Sequence, residues 1–352
     1  PAEIEADPNS ITGRYLSGKL IVGEVDRPRD VKHDAKLVIR DVTTNNLKSV
    51  TAEFPWGCLI GVSGVSGRGK SSLVNDTLYP AVARHLDLVA APPGPFASLD
   101  GADHVDKLVP INQAPIGRSP RSCPATYSGV MDEVRKVFAA TRESKTRGFQ
   151  AGRFSFNSSA GQCELCKGHG VERIEMNFLS DLFVTCSRCG GKRFNRQTLQ
   201  VRFKGASVAE VLEMTIDQAA EFFENVPSAH RLLESLRAVG LGYLHLGQSS
   251  TTLSGGEAQR VALTSTLGFS LVNMLYVLDE PSVGLHPRDV DRLGNSIVSL
   301  RDRGNTVVVV EHEPTLLQRA DQVVEIGPGA GDRGGEIVFQ GSPGELEADG
   351  AS

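Results

Sequence analysis

The chain has 352 residues, 40% of them hydrophobic, and a formal charge of -5. That is enough to bury a sizeable core in two or three domains, or in one domain with a large insertion, and it leaves no global basic excess to advertise nucleic acid. No apolar run reaches the ~18 residues of a membrane span, and the N-terminal PAEIEADPNS lacks a basic region followed by an apolar stretch, so no signal peptide is expected.

Residues 1–35 are polar and broken by Pro8, Gly23 and Pro28, and read as a linker with a short edge element. Residues 36–50 carry β-branched and apolar runs around Asn45-Asn46, which predicts two strands and a turn. The apolar run 59–62 then leads into Gly64-Val65-Ser66-Gly67-Arg68-Gly69-Lys70-Ser71, with a helical pattern from Ser71-Ser72 onward. This is GxxxxGK[ST] between a strand and a helix, the context that a phosphate-binding loop requires. Gly64, Gly67 and Gly69 let backbone N–H groups turn inward around phosphates, and the helix start adds partial positive charge. Lys70 is expected to reach the β and γ phosphates of ATP. Ser71 is expected to ligate Mg²⁺, with Ser72 beside it in the ATP-binding set.

Residues 90–104 read as a flexible surface excursion, 105–113 as a strand and 128–143 as an amphipathic helix. Cys163-x-x-Cys166 and Cys186-x-x-Cys189 follow, 19 residues apart, within the spacing of four-thiolate zinc sites. With no secretory signal, two CxxC pairs favour Zn²⁺ over disulfides and a cytoplasmic location. A closed shell of four thiolates leaves no position for water, so zinc catalysis is not expected. Cys58 and Cys123 read as small buried residues. Between the pairs, residues 171–176 and 182–184 suit a β-ribbon. Residues 142–204 hold twelve Lys/Arg against five Asp/Glu, interleaved with Phe149, Phe154, Phe156, Phe194 and Phe203. That footprint suits DNA backbone contact, against the plainer reading of a solvated small domain with a minimal aromatic core.

Helical patterns near 207–225 and 228–239 lead to Leu253-Ser254-Gly255-Gly256-Glu257 followed by Gln259-Arg260, which resembles the signature motif of ABC ATPases. Residues 274–278 and 306–310 are fully apolar, as central parallel strands are. The first ends in Asp279 and Glu280. Asp279 is placed to hold Mg²⁺, and Glu280 to orient or deprotonate the attacking water, since phosphoryl transfer needs positioning and charge neutralisation. The resemblance implies that Ser254, Gly255 and Gly256 meet the γ-phosphate held by an opposing domain. It also implies that His312, 32 residues beyond Glu280, is the switch histidine, that Gln113 touches Mg²⁺, and that residues 282–286 form the D-loop.

A narrower resemblance is to the UvrA family of nucleotide excision repair, over about residues 11–345. It rests on Ile11-Thr12-Gly13-Arg14-Tyr15-Leu16-Ser17-Gly18, Asn45-Asn46-Leu47, Asn75-Asp76-Thr77-Leu78, Pro115-Ile116-Gly117-Arg118, Pro124-Ala125-Thr126-Tyr127, Gly152-Arg153-Phe154-Ser155-Phe156-Asn157, the four cysteines and Leu246-Gly247-Gln248-Ser249. The motif order is that of the family's C-terminal ATPase half. The resemblance implies an α/β P-loop NTPase of the ABC type: a mixed sheet flanked by helices, with an inserted helical signature subdomain that contains the four-cysteine zinc module. The expected division is a core from 36–115 and 251–345, an insertion over 116–250 with zinc near 150–205, and a disordered tail after 345.

The same resemblance implies damaged double-stranded DNA as partner, with Arg153, Arg173, Lys192, Arg193 and Arg196 as the nearest matches to its DNA contacts. It implies a second ABC domain, from a homodimer or a missing N-terminal half. A UvrB-like helicase has no matching segment here. Arg68 departs from the small residue usual in this phosphate loop, and the D-loop and residues 268–273 look more like the family's first half. Alternative readings are a UvrA-like resistance protein that frees DNA of intercalating drugs, the ATPase half of a transporter, and a translation-factor ABC protein. The zinc module, the local basic excess and the lack of a membrane segment argue against the transporter, and translation-factor ABC proteins normally carry two cassettes with a charged linker and no such zinc site.

Overall fold

The computed structural model describes Ile4 and residues 35–117, 119–174, 182–267 and 272–348. The expected N-terminal linker, the matched stretch 11–18, Arg118, the charged positions 175 and 181, residues 268–271 and the last four residues of the tail lie outside the described residues.

The chain divides into two compact units, Pro1–Asn112 with Ser270–Ser352, and Gln113–Phe269. Strands in chain order are β1 (Lys36–Val42), β2 (Val50–Pro55), β3 (Leu59–Ser63), β4 (Ser98–Asp100) and β5 (Lys107–Ile111), then β6 (Val171–Ile174) and β7 (Leu182–Thr185) of the second unit. The first unit resumes with β8 (Met274–Asp279), β9 (Thr306–Val310), β10 (Gln322–Gly327) and β11 (Glu336–Gly341).

In the first unit a six-stranded sheet runs β11-β10-β3-β9-β8-β5, parallel throughout except for β11, which is antiparallel to β10. Every residue of β3 and β9 is buried, as expected for strands covered on both faces, and each buried Val, Leu or Ile contributes about 1.5–3 kcal/mol. The start of β3 is pinned by Asp321, which accepts Leu59 N–H at 2.7 Å and pairs with Arg301 at 2.9 Å in the interior. A second, antiparallel sheet has the order β2-β1-β4.

The excursion expected over 90–104 is held in place. Ser98–Asp100 pairs with β1, and Gly94 and Ala97 donate main-chain bonds to Asp76 and Arg40. A three-residue strand among prolines is too short to show periodicity.

In the second unit, the helix Val130–Ala140 buries Val130, Met131, Val134 and Phe138. The helical stretch expected over 207–225 is two helices, Val208–Glu213 and Ile216–Phe222, each opened by its own capping box, Ser207/Glu210 and Thr215/Gln218. Pro227–Ala238 and Gly255–Leu267 follow. The second boundary between units falls after residue 269 rather than near 251, because the signature helix packs on Pro227–Ala238 and Pro124–Tyr127 of the same unit. No helix among the described residues is long and apolar enough to cross a membrane.

Candidate nucleotide site, signature motif and metal centre

The phosphate loop leaves the carboxyl end of β3 and enters a continuous helical run: Lys70–Leu73, a π-turn at Val74–Leu78, and Tyr79–His85. Gly64 and Gly69 have φ of +135° and +117°. A Cβ at Gly64 would lie 2.4 Å from the Ile326 carbonyl oxygen, which excludes a side chain there, and at Gly69 the positive φ itself strains any other residue. Lys70 Nζ donates to the Gly64 carbonyl at 2.6 Å, inside the loop. Burial holds its ammonium below the usual lysine range, against the opposing pull of Glu280. The Ser71 hydroxyl is on an exposed residue, whereas Ser72 is buried and accepts from Asn45 Nδ2 at 2.9 Å.

Asn46 is a site residue that motif reading missed. Its Nδ2 lies 3.1 Å from the carbonyls of Arg68 and Gly331, so the 43–49 turn braces the phosphate loop from outside. Carbonyls held outward leave the loop's N–H groups turned inward, the orientation that phosphates need.

Asp279 ends β8, Glu280 follows it and His312 follows β9, so all three reach the carboxyl end of the parallel sheet beside the phosphate loop, where ligands bind in open α/β sheets. Asn75 Nδ2 donates to Asp279 Oδ2 at 2.9 Å. Burial raises the Asp279 carboxyl above the usual range, and the Asn75 bond partly offsets this. Glu280 has φ +45°, a left-handed backbone that costs a non-glycine residue about 1–2 kcal/mol, and its Oε1 lies 3.0 Å from His312 Nε2.

Glu311 is a second residue that motif reading missed. It is buried, accepts Ser282 N–H at 2.9 Å on one carboxylate oxygen, and accepts His312 and Glu313 N–H at 2.7 and 3.1 Å on the other. One carboxylate therefore fixes both the start of the D-loop and the histidine.

In the second unit, Ser254 opens the signature helix through a capping box. Its N–H and Oγ donate to Glu257 Oε2 at 2.7 and 2.9 Å, and Tyr243 Oη donates to the other Glu257 oxygen at 2.6 Å. Burial, with Glu257 adding to it, pushes the Tyr243 phenol up to about 12. Gln113 is exposed, and a Cβ on Gly255 would lie 3.2 Å from its side chain.

The ligand atoms of Cys163, Cys166, Cys186 and Cys189 all lie within 4.8 Å of one another, with Sγ–Sγ distances of 4.0 Å (163–186) and 3.7 Å (166–189). A tetrahedron with Zn–S of ~2.3 Å has edges of ~3.8 Å, so the four sulfurs fit one zinc-sized ion. Gly170 N–H points at Cys166 Sγ, 3.3 Å away. Burial pushes the Cys166 thiol up and that of Cys189 to about 12. Burial acts the same way on Cys163, but N–H donors from Cys166 and Leu165 outweigh it and leave that thiol lowered.

No protein-family model matches the chain. It is 51% identical over 348 residues to UvrABC system protein A of Bacillus subtilis (strain 168), covering 98% of this chain and 36% of that protein. It is 48% identical over 347 residues to the same-named protein of Halalkalibacterium halodurans, with the same coverage. The crystal structure of UvrA2 from Deinococcus radiodurans superposes with a TM-score of 0.90 at 45% identity, over 100% of this chain and 42% of that one. Over nearly all of its own length the chain is thus a relative of UvrA proteins. It spans a little over a third of the length of the curated relatives it matches, and its fold is that of an ABC-type P-loop NTPase.

The UvrA-like features sort differently in space than in sequence. The unusual Arg68 points at β10, with its guanidinium 3.7 Å from Glu325 and 3.5 Å from the Ile326 carbonyl. Of the five basic residues matched to UvrA DNA contacts, Lys192, Arg196 and Arg173 are exposed. Arg153 turns inward to Thr198, Gln197 and the Phe149 ring. Arg193 turns inward to the Gly247 carbonyl and Phe156. The interleaved aromatics are not a stacking surface for bases: Phe154, Phe156 and Phe194 are fully buried, with Phe138 against Phe154 and Phe156 against Phe194. They are the small core of the metal module, because rings this large gain more from burial than from exposure.

Proposed function

We propose that the chain is the zinc-bearing, C-terminal ATPase half of a UvrA-type excision-repair protein, which binds MgATP and damaged duplex DNA. The observation that carries this reading is the convergence of the phosphate loop, Asp279, Glu280 and His312 at one end of the sheet in a UvrA-family chain. Lys70 and the inward N–H groups of the loop would hold the phosphates, and Ser71 and Asp279 the Mg²⁺. The metal ion supplies charge neutralisation at the transferring phosphoryl group. Glu280 orients and deprotonates the attacking water, and His312, 3.0 Å away, holds that carboxylate in place. Asn75 aligns Asp279.

Ser254, Gly255 and Gly256 serve a nucleotide on a companion ATPase domain, either a second copy or an N-terminal half. The four cysteines hold structural Zn²⁺. The exposed Lys192, Arg196 and Arg173 suit phosphate contacts on DNA. A cytoplasmic location keeps the four thiols reduced.

The reading is tested by ATP binding and turnover of the chain against Lys70→Ala. The substitution is expected to abolish both while leaving the metal content unchanged, and unaltered turnover would remove the phosphate-loop assignment. Glu311→Gln replaces one acceptor oxygen by an amide N–H₂ that faces a main-chain N–H. Leaving a buried donor unmet costs about 1–3 kcal/mol, so kcat is expected to fall roughly ten- to hundredfold, with KM for ATP within about twofold. A variant with wild-type kcat would show that the D-loop tie has no part in turnover.

A further inference from the structure

The two inward arginines differ in what they connect. Arg153 binds residues of its own module, Thr198, Gln197 and Phe149. Arg193 spans two structures. Its main chain is tied to the metal cage: its carbonyl accepts Cys163 N–H at 2.8 Å. Its side chain leaves the cage. The guanidinium lies 5.1 Å from the centre of the buried Phe156 ring, and Nη2 donates to the Gly247 carbonyl at 2.9 Å.

Gly247 begins the segment that ends at the signature serine, seven residues on. That segment is seated by main-chain bonds from Gly247 to Leu212 and from Ser250 to Ser122, both at 2.8 Å, and by Ser250 Oγ on the Gly117 carbonyl at 2.9 Å. Arg193 also has a left-handed backbone, φ +67°. A non-glycine residue keeps that conformation only when its surroundings over-determine it.

We infer that Arg193 is a positioning residue, not a DNA contact: it transmits the state of the metal cage to residues 247–257 and so sets the placement of the signature serine. The planar guanidinium can lay its flat face on a ring while an N–H in its own plane reaches a carbonyl, a fixed fork that the compact ammonium of lysine does not reproduce. An occupied cage fixes the Arg193 main chain, and the fork then fixes Gly247. The structural link stands without the ATPase reading; only its consequence for turnover rests on it.

The test is hydrogen exchange of peptides covering 247–257, in metal-loaded and chelator-stripped protein. In the wild-type chain, stripping is expected to speed exchange at Gly247 and Ser250 at least tenfold. In Arg193→Met with its metal retained, exchange is expected to be that fast already and to respond less than twofold to stripping, with Arg193→Lys between the two. Duplex binding of Arg193→Met should stay within twofold of wild type, whereas Lys192→Ala with Arg196→Ala weakens it.

Wild-type protection in metal-loaded Arg193→Met overturns the inference, as does a loss of DNA affinity equal to that of the Lys192/Arg196 variant. If Arg193→Met loses its metal, metal-loaded Arg193→Lys decides, and wild-type exchange there overturns the inference equally. In assemblies that hydrolyse ATP, kcat is expected to fall about tenfold with KM unchanged. Absence of turnover in the wild type counts against the ATPase reading and leaves the exchange result standing.

Discussion

Glu280→Gln is expected to bind ATP within about threefold of the wild-type affinity and to turn it over 10²–10³ times more slowly, in whichever assembly of the chain is active. Glutamine keeps the shape of the side chain, and its carbonyl oxygen can still meet His312 Nε2, now 3.0 Å from Glu280 Oε1. It does not keep the negative charge or the ability to accept a proton, and a positioned general base contributes about 10²–10⁴ in rate. The groups that hold the nucleotide, Lys70 and the glycine-bent loop, are untouched, which separates this variant from Lys70→Ala. The Glu280 main chain already has an unfavourable φ of +45°, tied by its N–H to the Val310 carbonyl at 2.9 Å, so the substitution inherits a backbone set by β9 and not by the side chain. On the proposed reading, in which a companion ATPase domain closes over the nucleotide, sedimentation with ATP is expected to show the Gln variant accumulating in a larger species. Turnover within threefold of wild type would assign the water-orienting role to another residue.

How much of this was legible in the chain follows from the distance over which each interaction acts. The phosphate loop, Asp279-Glu280, the signature motif and the CxxC pairs are consecutive or closely spaced residues whose chemistry is local, and they could be named without knowing the fold. β3, β8 and β9 were legible because strands buried on both faces are uninterrupted apolar runs. What the sequence concealed is reach. Asn75 meets Asp279 across 204 positions, Asn46 meets Gly331 across 285, and Glu311 meets Ser282 across 29. No periodicity marks such pairs. The charge count over 142–204 correctly found a basic segment but had no access to direction: it counted Arg153 and Arg193 with Lys192 and Arg196, although the first two turn to internal acceptors. The same blindness favoured an interleaved surface for Phe154, Phe156 and Phe194 over the plainer reading of a minimal aromatic core, and they are buried. The break at Met214 was hidden because Val208–Glu213 and Ile216–Phe222 have similar composition, and only the paired Thr215/Gln218 cap separates them.

Removing the metal is expected to unfold the cysteine module while leaving the nucleotide unit able to bind ATP. The module has little else to hold it: among the described residues its apolar interior is the four cysteines' own cluster plus a few phenylalanines, and segments of this size need a metal or a cross-link to fold. Apparent zinc affinities in comparable four-ligand peptides correspond to about 10–16 kcal/mol, far more than those contacts supply. The phosphate loop, Asp279, Glu280 and His312 belong to the other unit, at the ends of β3, β8 and β9. The pH dependence has a definite sign. In the empty cage burial raises Cys166, and raises Cys189 to about 12, so both thiols carry protons at neutral pH. The metal must displace those protons, and affinity is therefore expected to rise at least about a hundredfold per pH unit below those pKa values, two protons leaving per ion, and to be lost as pH falls. Cys189→Ser should behave as the stripped protein does at every pH, since a serine hydroxyl is neither a thiolate nor a soft ligand. The checks are one metal per chain in protein purified without chelators, a thiolate-to-cobalt absorption band on substitution, and loss of hydrogen-exchange protection over 160–200 on stripping. Protein that carries no metal, or a stripped module as protected as the loaded one, would leave the four cysteines as buried thiols with no structural ion to hold.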